Sequence, residues 1–277
     1  MKNAVVLGTF DGLHIGHRAV IKGAEGYNII AVTFVAPPKM SADKSIGVLM
    51  QNEDRFKCLK ELGVSEICAL QFDEVKSMEP YNFLNMIKEK YSPALFVCGF
   101  NYRFGNKAKG NTETLKAYCE ENGIALKVTE SVNIDGKTVS STLIRDMISK
   151  GEIEKANNLL YKPFGFIGEV VSGAQRGRTL GFPTANQLYP EEMQNLKFGV
   201  YRSRVFIDEI EYKGISNIGI RPTYQTKIPV SETYIYEFSG DLYGKNIRIE
   251  PIKFLRCEQK FGSAEELKAT VLKDIFD

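Results

Sequence analysis

The sequence predicts two consecutive domains: a doubly wound α/β domain, then an antiparallel all-β domain that ends in one helix. Three observations carry this reading. A length of 277 residues corresponds to about two domains at roughly 150 residues each. From Ala4 to about Val128, short β-branched runs alternate with stretches of helical periodicity, the pattern of a parallel sheet with right-handed crossovers. Beyond Lys162 and Pro163, extended runs follow one another between turn residues, the pattern of an antiparallel barrel or sandwich.

In chain order, the expected strands of the first domain are residues 4–7, 29–34, 67–70, 95–98 and 124–128. Each is short and rich in Val, Ile, Leu or Phe, as a strand buried on both faces requires. Between them lie amphipathic stretches: residues 18–25, then one carrying Phe56, Leu59 and Leu62, one carrying Phe83, Leu84, Ile87 and Tyr91, and one carrying Leu115, Tyr118 and Cys119. Two more helices are expected at 142–148 and 152–160, and a boundary follows, giving domains 1–161 and 162–277. In the second domain the expected strands are 164–171, 199–207, 210–218, 233–238 and 247–254, with a last helix at 263–275. Ligands of doubly wound domains bind outside the carboxyl ends of the strands, so the loop after the first strand is where chemistry is expected.

Composition narrows the function classes. The net charge is +2, divided as +1 on either side of residue 160, so neither half carries the basic excess of a nucleic-acid or membrane-surface binder. Five cysteines, odd in number and without a C-x-x-C pair, read as reduced core residues, which sets aside a zinc site or disulfide framework and points to a cytoplasmic protein. The apolar run after Met1 stops at Gly8, too short for a signal peptide or a membrane span. Oligomeric state is not readable.

Both histidines of the chain stand in the loop after the first strand, Gly8-Thr9-Phe10-Asp11-Gly12-Leu13-His14-Ile15-Gly16-His17. Glycines at a strand-to-helix turn let the backbone approach phosphate, and the following helix N-terminus offers amide donors. Two imidazoles beside that end suit an enzyme that holds a nucleoside triphosphate while its α-phosphorus is attacked, because charge grows on the pyrophosphate oxygens. The string G-x-F-D-G-x-H-x-G-H resembles the flavin adenylyltransferase branch of the nucleotidylyltransferase superfamily. Two further segments are similar to that family: Gly99-Phe100-Asn101-Tyr102-Arg103-Phe104-Gly105, with Tyr102 where phenylalanine is usual, and Val139-Ser140-Ser141-Thr142-Leu143-Ile144-Arg145. On its own, Ser-Ser-Thr before a helix is an ordinary N-cap. Third in order behind the histidine loop, it reads as a phosphate site. One departure stands out: Thr33-Phe34-Val35-Ala36-Pro37-Pro38 lacks the glutamate and histidine of the family's T-F-E-P-H-P. The resemblance implies a Rossmann-like fold in which His14 and His17 are catalytic, with Gly8, Phe10, Asp11, Gly16, Asn101, Ser141, Thr142 and Arg145 binding nucleotide and phosphate.

The second domain opens with Gly168-Glu169-Val170-Val171-Ser172-Gly173 and passes Gly177 to reach Gly181-Phe182-Pro183-Thr184-Ala185-Asn186. A glycine-rich loop followed by a hydroxyl and an amide supplies hard oxygen ligands of the kind Mg²⁺ takes beside ATP phosphates. The string G-F-P-T-A-N is similar to the signature of riboflavin kinase, a β-barrel flavokinase, and four later segments agree: Phe198 to Tyr201, Ser216 to Thr223, Ser231-Glu232-Thr233, and Asp241 to Gly244. Arg256, Glu258, Lys260 and Phe261 match that family's closing L-R-x-E-x-K-F. The resemblance implies that Glu232 accepts the proton of the attacking hydroxyl, that Thr184 and Asn186 hold metal, and that Gly168, Gly173 and Gly181 meet the nucleotide.

Together the two sets of motifs resemble the bacterial bifunctional riboflavin kinase/FMN adenylyltransferase family. The implied substrates and products are riboflavin, FMN, FAD and ATP, with Mg²⁺ as cofactor and with neither nucleic acid nor membrane as partner. Two alternatives stay open at this point: one half alone is active, or the chain is a non-catalytic flavin-binding regulator on the same scaffold.

Overall fold

Parallel strands with buried, β-branched residues build the first sheet of the computed structural model. They are β1 (Asn3–Leu7), β2 (Asn28–Phe34), β3 (Val64–Leu70), β4 (Leu95–Gly99) and β5 (Ala125–Thr129), in the order β3-β2-β1-β4-β5. Side chains alternate between the two faces. Val5 and Leu7 join one buried cluster with Phe83, Leu84, Leu115 and Tyr118, while Ala4 and Val6 join another with Val20, Ile21, Cys58 and Leu59. A period of two residues is what the pleat dictates. Helices α1 (Ile15–Lys22) and α2 (Asn52–Glu61) therefore cover one face, and α3 (Phe72–Val75), α4 (Pro80–Tyr91) and α5 (Thr112–Asn122) the other. The described residues are 1–37, 46–172, 184–220, 228–259 and 261–276.

Local sequence explains where these helices begin and stop. α5 starts with a capping box between Asn111 and Thr114 and ends at Gly123 in the left-handed conformation, φ 66°, a conformation glycine adopts without steric cost. α4 carries Pro80 in its first turn, where the missing N–H costs nothing. α1 begins at Ile15, three residues before the expected helix at 18–25, because His14 caps it. A short hairpin, β6 (Asn133–Ile134) and β7 (Lys137–Thr138), was not expected; Asp135 and Gly136 turn it with φ of 49° and 73°, as the tightest hairpin turn needs.

Helices α6 (Ser141–Lys150) and α7 (Ile153–Leu159) lead into six antiparallel strands: β8 (Phe166–Val171), β9 (Thr184–Leu188), β10 (Gly199–Ile207), β11 (Ile210–Ile220), β12 (Pro229–Ile235) and β13 (Asn246–Arg256). They close a barrel in the order β10-β11-β12-β9-β8-β13, resolving the barrel-or-sandwich choice. Closure follows from β8 pairing with both β9 and β13. The outer face of Val200 and Ile215 is covered by Tyr234, Tyr236, Leu255 and Val271, the last from α8 (Ala264–Phe276). Asp274 of α8 accepts a bond from Arg256 Nη2 at 2.9 Å.

The chain divides into two units, Met1–Leu143 with Leu159–Tyr161, and Ile144–Asn158 with Lys162–Asp277. Among the described residues, no helix is long and apolar enough to cross a membrane.

β9 was missing from the expected strands. Its sequence, Thr-Ala-Asn-Gln-Leu, has little β propensity, and its place between β12 and β8 overrides that preference.

Candidate active sites

Strand order places the first site. The winding reverses between β1 and β4, so the loops after these two strands flank the crevice of a doubly wound sheet. The loop after β1 is tightly folded: Phe10, Gly12 and Leu13 all have positive φ, of 51°, 77° and 45°. Left-handed backbone at two residues with side chains costs about 1–3 kcal/mol each. Burial offsets that cost, since Phe10 and Leu13 are fully enclosed in the core. A Cβ on Gly12 would stand 2.8 Å from Leu160 Cδ2 and 3.0 Å from Leu49 Cβ, so only glycine fits there.

Hydrogen bonds fix the rest of the loop. Leu49 N–H donates to Asp11 Oδ1 at 2.8 Å, Ser141 Oγ donates to Asp11 O at 3.3 Å, and Thr33 Oγ1 donates to Thr9 O at 2.9 Å. The Ser141 bond joins positions 130 apart in the chain and brings the third motif against the first. Ser140 is the residue that caps α6, accepting from Leu143 N–H at 3.2 Å. Arg145, four residues after Ser141, shares its helix face.

The two histidines stack, with ring centroids 3.7 Å apart and planes 19° from parallel. His14 Nδ1 accepts the long 3.4 Å bond from His17 N–H. Phe10 meets the His17 ring edge-on at 5.5 Å. Gly16 makes the stack possible: a Cβ there would lie 3.2 Å from His14 Cε1 and Nδ1. Gly8 lies over the Phe10 ring, where a Cβ would meet it at 3.1 Å.

Phe10 and Asp11, expected from the motif to contact nucleotide, are 0% and 2% exposed and shape the loop from beneath. Asn101 is exposed on the loop after β4. Phe104 turns back into the core and pairs with Gly110, stacking on Tyr102 at 5.5 Å. Burial pushes the Tyr102 hydroxyl well above the usual phenol range, so it is a neutral donor.

Sequence reading passed over one residue here. Arg55 of α2 is 2% exposed; its Nη1 donates to Thr9 O at 2.6 Å and its Nη2 to Phe34 O at 2.5 Å. Burial lowers its pKa, and the charge of Asp11 opposes that shift. An arginine in the first half of an amphipathic helix reads as solvated, and no string in the sequence marks it.

Register places the second site. Glu232 on β12 lies directly opposite Asn217 of β11 on one side and Asn186 of β9 on the other. Direct partners across antiparallel strands share a face, with Cβ atoms about 4.5–5.5 Å apart. Thr184 is on the same face two residues before Asn186, opposite Tyr234. The alternate residues Ser231 and Thr233 are fully buried and bond to each other at 3.2 Å, with Ser216 on Thr233 at 2.9 Å. Glu232, Asn186 and Thr184 thus form an outward row over a hydroxyl-lined interior. Asn186 Nδ2 donates to Thr184 O at 3.1 Å, which turns its carbonyl oxygen the other way. Glu258 lies against Gly219 of β11, where a Cβ would meet its carboxylate at 2.8 Å, two residues along from Asn217.

Gly168 sits inside strand β8, and the Gln187 amide donates to Gly168 O at 2.6 Å and Ile247 O at 2.9 Å. Gly173 and Gly181, together with Gly177, Pro183, Lys260 and the stretch from Arg221 to Thr223, lie outside the described residues. Asn217 and Glu258 stood in the matched strings without being singled out; register sets Asn217 opposite Glu232, and Glu258 lies against Gly219. Thr184, Asn186 and Glu232 offer a hydroxyl, an amide oxygen and a carboxylate, a hard-oxygen set that fits Mg²⁺.

A family model described as FAD synthetase matches residues 1–143, and one described as riboflavin kinase matches residues 160–277. The chain is 32% identical, over 99% of its length, to the bifunctional riboflavin kinase/FMN adenylyltransferase of Bacillus subtilis (strain 168), covering 90% of that protein. It is 31% identical, over 98% of its length, to the protein of that description from Escherichia coli (strain K12), again covering 90%. A solved Streptococcus pneumoniae structure, described as a macrolide-efflux protein, is 29% identical with a TM-score of 0.90, covering 99% of this chain and 92% of that one. That name is its own; the fold is what the two share.

Proposed function

Since the chain belongs to the bifunctional riboflavin kinase/FMN adenylyltransferase family, we propose that residues 162–277 carry its kinase reaction and residues 1–161 its adenylyl transfer. The protein phosphorylates riboflavin with ATP to give FMN, and transfers AMP from ATP to FMN to give FAD and pyrophosphate. The residue roles that follow are our reading.

In the kinase half, Glu232 accepts the proton of the riboflavin 5′-hydroxyl as its oxygen bonds to the γ-phosphorus of ATP and ADP departs. Asn217 and Asn186, its cross-strand neighbours, orient that carboxylate. Thr184 Oγ1 and Asn186 Oδ1 would hold Mg²⁺, which when bound neutralises phosphate charge.

In the adenylyltransferase half, an FMN phosphate oxygen bonds to the α-phosphorus and the bond to the bridging oxygen of pyrophosphate breaks, with no covalent enzyme intermediate required. His14, His17 and the first amides of α1 supply donors, and Ser141, Thr142 and Arg145 grip phosphate from α6. Gly8 and Gly16 let the nucleotide approach the backbone, and Asn101 faces the same crevice from the loop after β4.

The observation that carries the reading is convergence of motif residues far apart in sequence: Ser141 on Asp11, and Glu232 on Asn186. His17→Ala should lower FAD formation about 10²- to 10³-fold, the loss typical of one charge-stabilising donor, and spare FMN formation. Glu232→Ala should do the reverse when FMN is supplied. Product chromatography decides; equal loss of both activities in either variant would overturn the two-site assignment. A single active half and a non-catalytic binder are not favoured, because both family models match.

A further inference from the structure

We infer that Arg55 is a positioning residue for adenylyl transfer: one buried guanidinium holds the nucleotide loop after β1 to the segment that leaves β2. The inference rests on the function proposed above for residues 1–161.

Among the described residues, Arg55 is one of the largest fully buried side chains, with Tyr118 and Tyr201, and its charge is met by oxygen dipoles and by the charge of Asp11. Nη1 donates to Thr9 O at 2.6 Å and to Thr33 Oγ1 at 3.4 Å. Nη2 donates to Phe34 O at 2.5 Å, Val35 O at 3.3 Å and Asn52 Oδ1 at 2.7 Å. The backbone partners are carbonyls beyond the carboxyl end of β1 and at the end of β2, neighbouring strands in register at Leu7 and Val32. A buried cation is expensive unless its hydrogen bonds are met; here the two terminal nitrogens meet both segments at once, while Nε has no hydrogen-bond partner among the described residues. Lysine has a single nitrogen and no planar fork. α2 does not gain from a cation this close to its own N-terminus, where the helix dipole opposes it. The arginine is therefore placed for the loops.

Its effect reaches the histidines in two steps. A trans peptide points its C=O and N–H in opposite directions, so fixing Thr9 O toward Arg55 fixes the Phe10 N–H away from it. That peptide orientation enters the left-handed Phe10, φ 51°, whose ring braces His17 edge-on at 5.5 Å. The other nitrogen sets the carbonyls of Phe34 and Val35, the segment in which this chain departs from the T-F-E-P-H-P pattern. Thr33 closes the network, since its hydroxyl donates to the same Thr9 oxygen at 2.9 Å.

The test uses the full chain with Mg²⁺, ATP and FMN, reading FAD by chromatography, and riboflavin phosphorylation in the same preparation. Absence of FAD with the unaltered protein would sink the functional assignment, and this inference with it. With FAD formed, Arg55→Lys should lower kcat for FAD formation by roughly 10- to 100-fold, the penalty of a displaced catalytic group. KM for ATP and the rate of FMN formation should hold. An unchanged kcat, a change confined to KM, or an equal fall in both activities would overturn the inference. If Arg55→Lys loses the thermal transition of the first domain, Thr33→Val decides: a lower kcat for FAD supports the network, and an unaltered kcat refutes it.

Discussion

Replacing Gly16 by alanine should separate stability from catalysis in the first domain. Gly16 is the second residue of α1, in the first turn, where alanine is better than glycine by less than the about 1 kcal/mol of a helix interior. Against this, the new Cβ would stand 3.2 Å from His14 Cε1 and Nδ1. Carbon contacts become comfortable from about 3.5 Å, so the imidazole must retreat by a few tenths of an ångström, about 0.3–0.5 Å. That lengthens a capping bond already at 3.4 Å, whose loss costs about 0.5–1 kcal/mol. The two stability effects nearly cancel, leaving a net change within about 1 kcal/mol. Catalysis has no such compensation. A misplacement of about 1 Å can cost 10²-fold, so a third to a half of that predicts about a 3- to 10-fold fall in kcat for FAD formation. The assay follows FAD from FMN and ATP, takes riboflavin phosphorylation as internal reference, and measures the urea midpoint of the same protein. An unchanged FAD rate would refute the argument that Gly16 is there for the imidazole. Parallel loss of rate and stability would show that the loop, and not the ring, had moved.

Gly12→Ala should instead be strongly destabilising: positive φ, at +77°, and contacts of 2.8 and 3.0 Å together imply about 2–4 kcal/mol, and an unaltered urea midpoint would contradict this. Asn186→Leu removes the amide oxygen opposite Glu232 and should reduce riboflavin phosphorylation by roughly 10²-fold with FAD formation from supplied FMN intact; retained kinase activity would remove Asn186 from the metal set. Burial pushes the Cys98 thiol up to about 12 and the Cys119 thiol up to about 11, while Cys257 is exposed. Iodoacetamide at pH 8 should therefore label Cys257 and leave Cys98 and Cys119 unmodified in the folded protein, as peptide mass mapping would show. Because both folded values lie above the ordinary 9.0, the unfolded chain loses these protons first, so stability should fall as pH rises from about 9 to 12. Cys98→Ala should flatten that fall, and an equally steep fall would refute the cause.

The parallel sheet was legible because strands buried on both faces must be apolar throughout: residues 4–7, 29–34 and 95–98 all lie within strands. The histidine loop was legible because glycine and histidine spacing is dictated by backbone geometry close to a phosphate. β9 was hidden by its chemistry. A row that presents Thr184 and Asn186 outward and packs Gln187 inside has no apolar alternation to read. Burial of Arg55 was equally invisible, since its partners are carbonyls of residues 20 to 46 positions away. Backbone oxygens leave no trace in a residue pattern. Asp11 and Phe10 were read as ligand contacts because a motif string does not say which of its members face inward.

The ring of strands has a consequence for how this chain is made. The parallel sheet has its last strand once Thr129 is synthesised, yet β8 cannot complete its pairing with β13 until Ile249 has been added. At about 5–20 residues per second, the barrel waits roughly 6–24 s after the parallel sheet has its last strand. Throughout that interval β8 carries an open edge. Nascent chains arrested before residue 246 should therefore hold a finished adenylyltransferase half beside an unclosed, protease-sensitive kinase half.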